Sequence, residues 1–198
     1  MFDIIEFGNF KPTGKQKKKK QIILTHTSRE VNTYLMSLKY RYNGRYDKIP
    51  NYIVDREGKI IKLLNDNEHS NFFPTQNVNR NSIVISLENL GWLEKQPLKN
   101  SHINWIGNIY NEKVFEKKWR DYFFWQPYTE IQVIQTAKLC KELTNKLSIN
   151  KECVGHNTRV NGVEKYEGIV TRSNFNSEYT DLSPAFNFDE FINYIENE

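Results

Sequence analysis

Long apolar runs are missing from this chain. Nowhere do about 20 apolar residues follow one another, so no membrane-spanning helix is expected. Cysteine is scarce as well: Cys140 and Cys153 are the only two, too few for a disulfide framework, and the redox compartment stays open. A chain of 198 residues buries enough core to fold without cross-links. The first ten residues carry Asp3 and Glu6 and lack a basic stretch followed by an apolar one, so no secretory signal is expected. Repeats, low-complexity tracts and linkers are also lacking, which leaves a single domain. Excess charge of one sign is small: 28 basic against 24 acidic residues give a net charge of +4. The one strong run is Lys15, Lys17, Lys18, Lys19 and Lys20. It is expected as a solvated loop before the first core strand, or as a non-specific attractor for an anionic polymer. No base-stacking motif accompanies it, so no specific nucleic-acid partner is expected.

What is present is patterned. Gln21-Ile22-Ile23-Leu24-Thr25-His26 has the form of a buried strand ending at a histidine. Thr27-Ser28-Arg29-Glu30 has the form of a capping box, and Val31, Tyr34, Leu35 and Leu38 follow at helical spacing. Tyr52 to Leu63 forms two β-rich arms around a polar turn with Gly58, a hairpin. Ser82–Leu87 is a second central strand, in which Val84, Ser86 and Glu88 share a face. Residues 91–127 hold all four tryptophans and follow no simple period, as expected of an aromatic-rich insertion over one edge. Thr129-Glu130-Ile131-Gln132 opens a long helix with Ile134, Ala137, Cys140, Leu143 and Leu147 on its buried stripe. Residues 151–156 form a short strand ending at His156, residues 157–180 a long loop, and Asn187 onward a last helix. The expected fold class is α/β: one domain with a mixed central β-sheet flanked by helices.

Of the four histidines, His26 and His156 fall at strand ends, where sheet-based sites gather their ligands. A catalytic zinc needs three N, S or O donors and one open position for water. Asp181 is the candidate third donor beside the two imidazoles; a single strand-end histidine is more often a hydrogen-bonded structural residue, so the case rests on the combination. Cys153 and His156 are three apart and point to opposite faces of a strand, so Cys153 is expected in the core rather than on a metal. His102 is expected to be exposed in the insertion.

Six blocks in order resemble the zinc N-acetylmuramoyl-L-alanine amidases, the family of the peptidoglycan recognition proteins and phage amidase-lysozymes. They are Ile23-Leu24-Thr25-His26-Thr27; Asn51 to Ile60, similar to H-Y-x-I-D-x-x-G-x-I; and Asn67-Glu68-His69, in the place of W-H-A-G. Ser82 to Leu87 then resembles S-I-G-I-E-L, Val154-Gly155-His156 resembles V-x-G-H, and Thr180 to Phe186 resembles T-D-P-G-P-A-F. The resemblance spans nearly the whole chain. It implies that His26, His156 and Asp181 hold Zn2+, that His69 lines the cleft, and that the substrate is the muramyl peptide of peptidoglycan. In that chemistry zinc lowers the pKa of its bound water toward ~7 and polarises the amide carbonyl.

The chain also departs from the family. Ser86 stands where many members place a catalytic glutamate, which leaves Ser86 to substrate binding. Glu88 is a candidate general base, or simply a surface carboxylate. Tyr179 replaces a lysine two residues before the last ligand and is a candidate oxyanion donor, and Pro50 stands where some relatives keep a tyrosine. The 157–180 loop exceeds the ~12–15 residues of ordinary loops, and Arg172 within it is a candidate binder of stem-peptide carboxylates. The expected protein is a monomeric amidase of the endolysin kind, made in the cytoplasm and released to the wall by other means. The alternative is a non-catalytic peptidoglycan-binding module of the same fold.

Overall fold

The computed structural model describes residues 4–7 and 10–197. Its strands are β1 (Ile4–Glu6), β2 (Gly14–Lys15), β3 (Gln21–His26), β4 (Tyr52–Val54), β5 (Ile60–Lys62), β6 (Glu68–His69) and β7 (Ser82–Leu87). Then come β8 (Trp92–Lys95), β9 (His102–Ile103), β10 (Ile109–Tyr110), β11 (Phe115–Trp119), β12 (Tyr122–Trp125) and β13 (Gly168–Thr171). The helices are α1 (Val31–Tyr40), α2 (Gln76–Asn81), α3 (Glu130–Leu147) and α4 (Phe188–Asn197).

A six-stranded mixed sheet in the order β1-β5-β4-β7-β3-β13 forms the centre. Only the β4–β5 hairpin is antiparallel within it. Period-two alternation divides its side chains between two cores. Ile22, Leu24, Val54, Ile83, Ile85 and Leu87 face α3 and α4, meeting Val133, Ala137, Cys140, Leu143, Phe191 and Ile195. On the opposite face Ile53 and Ile61 meet Leu35 and Leu38 of α1, while Ile23, Val84 and Val170 meet Phe73 and Val78. Helices therefore cover both faces of the sheet, as its apolar strands require.

The helix ends show which local signals operate. Thr129 caps α3 as its capping-box motif implies, accepting from the Gln132 N–H at 3.2 Å. The box at Thr27 does not form: α1 starts after Glu30, which makes no side-chain cap. The Thr27 hydroxyl instead turns back on Arg29. Its place at the helix start is taken by the Glu88 carboxylate, which accepts from Val31 N–H at 2.9 Å. A tertiary partner thus satisfies the first-turn donor that the local sequence leaves open.

Three further sequence expectations are corrected. Residues 151–156 form no regular strand and make only an isolated bridge, Cys153 with Ile169. The 157–180 segment is not a plain loop, because β13 lies inside it and pairs in parallel with β3. The insertion folds as a five-stranded antiparallel sheet, β10-β9-β8-β12-β11. Trp125 is fully buried there and donates to the Lys117 carbonyl at 2.8 Å, and Trp92 stacks on Tyr122 at 4.2 Å between centroids. His102 is half-buried against Phe124 rather than exposed. The insertion is fastened beside the end of β3 by the Asn104 amide, which donates to the Ser28 carbonyl at 2.8 Å.

Candidate active site

The C-terminal ends of β3 and β13 place the central residues. In the parallel ladder Thr171 pairs with Leu24, so the next position sets Arg172 beside Thr25. Asp181 returns to the same point. Its backbone carbonyl accepts from Ser173 N–H at 2.6 Å, and its carboxylate accepts from the Thr25 hydroxyl. The Arg172 guanidinium lies 3.4 Å from one carboxylate oxygen and 3.5 Å from the other. Tyr179 stacks on that guanidinium, 4.0 Å from ring centroid to Cζ, and so holds its plane.

Asp181 is 2% exposed. Burial alone would raise its pKa, but the charges of Arg172 and His26 and the hydrogen bond from Thr25 outweigh it and hold the carboxyl below its ordinary value. His26 is held below the usual histidine value, chiefly by burial, with Asp181 pulling the other way and Arg172 adding to the fall. Its Nδ1 is 3.5 Å from the Tyr128 hydroxyl. The far side of the ring lies against Gly91, where a Cβ would stand 3.0 Å from Nε2. Gly91 has φ +78°, a conformation that glycine adopts without strain.

His156 does not join this group. It is exposed, its Nδ1 is engaged by the Thr158 hydroxyl at 2.9 Å, and its ring lines a neighbouring pocket of about 560 Å³ with Trp119, Asn157 and Phe186. The segment carrying it lies outside β13, and the strand next to β3 ends at Thr171, which puts Arg172 at its end instead. Among the described residues no three of His, Cys, Asp and Glu are grouped to hold a metal ion. As arranged, the centre offers one imidazole and one carboxylate that already has a cation on it. That donor set does not fit the three-ligand zinc site implied by the family resemblance. Cys153 offers no substitute: its sulfur accepts from Gly155 N–H at 3.3 Å, and burial pushes the thiol up to about 11.

The other sequence candidates have different surroundings from those expected. Ser86 is fully buried beside Tyr34. Glu88 is buried rather than a surface carboxylate, and it accepts from the backbone of Val31 at 2.9 Å and of Arg56 at 3.1 Å. His69 is buried in the β2–β6 pair, its ring packed under Gly14 rather than beside His26. Arg172 and Tyr179 do sit at the centre, as an ion pair with Asp181 and its stacking support.

Sequence reading missed several neighbours. A groove of about 220 Å³ opens beside His26, lined in part by Arg29, Tyr34, Arg41, Lys48, Trp105 and Arg172, with no carboxylate in its wall. Arg120, at the β11–β12 turn, also acts electrostatically on Asp181. Gly168-Ile169-Val170-Thr171 was the available signal: a short apolar run ending, like β3, in threonine and a basic residue.

Comparison with known families and structures fits this frame. The family model for N-acetylmuramoyl-L-alanine amidase matches residues 15–167, and the chain belongs to that family. No curated protein matches it by sequence. Among solved structures it resembles the amidase LysC from Clostridium intestinale, with a TM-score of 0.58, 14% identity and coverage of 96% of this chain and 95% of that one. Staphylococcus aureus AmiA in complex with its ligand gives 0.56 at 12% identity, covering 98% and 81%. E. coli AmiD, in complex with an anhydro-N-acetylmuramic acid peptide, gives 0.54 at 15%, covering 92% and 59%. At these identities the likeness establishes a shared fold.

Proposed function

We propose that this chain acts on the muramyl peptide of bacterial peptidoglycan, hydrolysing the amide bond between N-acetylmuramic acid and L-alanine in an endolysin-like lytic role. The family match over residues 15–167 carries this reading. The groove beside His26 supports it. Arg29, Arg41, Lys48 and Arg172 suit the carboxylates of a stem peptide, and Trp105 and Tyr34 offer rings to a sugar face. The AmiD structure, with its muramyl-peptide ligand, shows a relative of this fold engaging that class of molecule.

In this arrangement the chain's own residues bind and orient. His26 is neutral at pH 7 and available to accept a hydrogen bond, the guanidinium of Arg172 faces the groove, and Tyr179 fixes its angle. A second reading, recognition without cleavage, is favoured by one observation: Arg172 sits on Asp181, while His156 is exposed on a neighbouring pocket. Incubation with purified peptidoglycan and mass spectrometry of the soluble fraction separates the two. Free stem peptides beginning at L-alanine support hydrolysis, and their loss on adding a chelator would establish the zinc dependence typical of the family. Retention of the protein on the wall without release supports recognition. Neither release nor retention refutes both.

A further inference from the structure

We infer that Arg172 is the resident counter-cation of Asp181 and competes with divalent metal for that carboxylate, so that this residue sets the metal affinity of the centre. The inference rests on reading the ends of β3 and β13 as the functional centre, and it holds under either proposed function.

Three observations carry it. A carboxylate as deeply buried as Asp181 needs a compensating charge. Arg172 supplies it from a strand end fixed by the β3–β13 ladder, and both Ser173 N–H to the Asp181 carbonyl and the stacked Tyr179 hold the two segments in register. Arg120 adds a second positive charge nearby. A divalent ion approaching Asp181 would therefore meet a guanidinium 3.4 and 3.5 Å from the same two oxygens, and attraction to the carboxylate would be opposed by that like charge at short range. Removing Arg172 reverses the balance. It leaves a buried anion beside the His26 imidazole, with its largest compensating charge gone, and any cation able to take both groups gains. Histidine at this position would go further, placing an imidazole on the strand adjacent to β3 in company with His26 and Asp181.

Zinc alone is the probe, added to the full chain and followed by competition with a fluorescent chelator. The wild-type protein is expected to bind zinc at this centre weakly. R172A is expected to bind at least tenfold more tightly and R172H at least a hundredfold, both gains vanishing when D181N is added. Zinc should also raise the melting temperature of R172A more than that of wild type. Equal affinities for wild type and R172A, or a gain that survives D181N, overturn the inference.

Should R172A not fold, R172Q keeps the length and a donor and carries the same comparison. The wild-type chain gives an independent reading. Its Arg172 guanidinium 15N resonances should shift as zinc is titrated to saturation, and stoichiometric zinc binding at Asp181 that leaves them unmoved would refute the competition. Failure of the functional reading would appear in the peptidoglycan products and leave these metal affinities unchanged.

Discussion

Lys19 offers a quantitative test of how the chain spends its charge. Its neighbours Lys15, Lys17, Lys18 and Lys20 are solvated, but Lys19 is 1% exposed. Its ammonium donates to the carbonyls of Glu68 at 3.1 Å and Arg80 at 3.0 Å, tying β6 to the end of α2. Burial pulls its pKa down from 10.5 to about 8, with Asp66 opposing. The folded chain therefore releases this proton at a lower pH than the unfolded chain does. Between about 8 and 10.5 the unfolded state holds more protons, so stability rises with pH across that window. At 1.36 kcal/mol per pH unit the full gain is on the order of 3 kcal/mol. Below pH 8 the K19M variant loses two hydrogen bonds from a charged donor, roughly 1.5–3 kcal/mol each, but also escapes the cost of burying the ammonium. The two nearly cancel, and K19M should be close to wild type at pH 7. Urea denaturation at pH 7, 8, 9 and 10 measures this. The wild-type advantage over K19M should grow by about 2–3 kcal/mol between pH 7 and 10. A constant difference would refute the assignment of Lys19 as a buried, strained cation.

Other consequences follow from the site. Glu88→Gln should lower stability by about 1–3 kcal/mol in urea, since an amide cannot accept from both Val31 and Arg56 N–H groups. If turnover falls with no loss of stability, Glu88 is catalytic after all. Gly91→Ala forces a Cβ against the His26 ring at positive φ and should cost about 1–3 kcal/mol and weaken ligand binding, read by melting and calorimetry. On acidification, His26 and Asp181 both have folded pKa values below their unfolded ones, so each contribution is lost as pH falls. The His26 share fades below 6.5 and the Asp181 share below 3.8, and D181N should flatten the lower step while deepening the upper one, because it removes the charge that raises the His26 value.

The central strands were legible because burial writes itself as apolar runs: Ile22-Ile23-Leu24, Tyr52-Ile53-Val54 and Ile83-Val84-Ile85 all became sheet. The helix after Thr129 was legible through its cap, though its buried stripe runs through Val133, Thr136, Ala137, Cys140 and Leu143 rather than Ile134. β13 was hard to read, because Gly168-Ile169-Val170-Thr171, between Glu167 and Arg172, is too short a run to show a period. Missing it moved the expected second strand-end group from Arg172 to His156. The insertion hid its sheet for a related reason, since β11 is exposed along most of its length and carries no alternation of burial. The burial of Glu88 was not legible because its partners, the Val31 and Arg56 amides, come from distant segments that the β3–β7 and β4–β7 pairings bring near.

The most direct measurement is a calorimetric titration of muramyl dipeptide into the wild-type protein and into the Trp105→Ala and Arg41→Ala variants. Saturable binding, weakened at least about fivefold in both variants, is the expected result for a ligand lying in the groove beside His26. Undiminished binding in both variants, or none in the wild type, would contradict it.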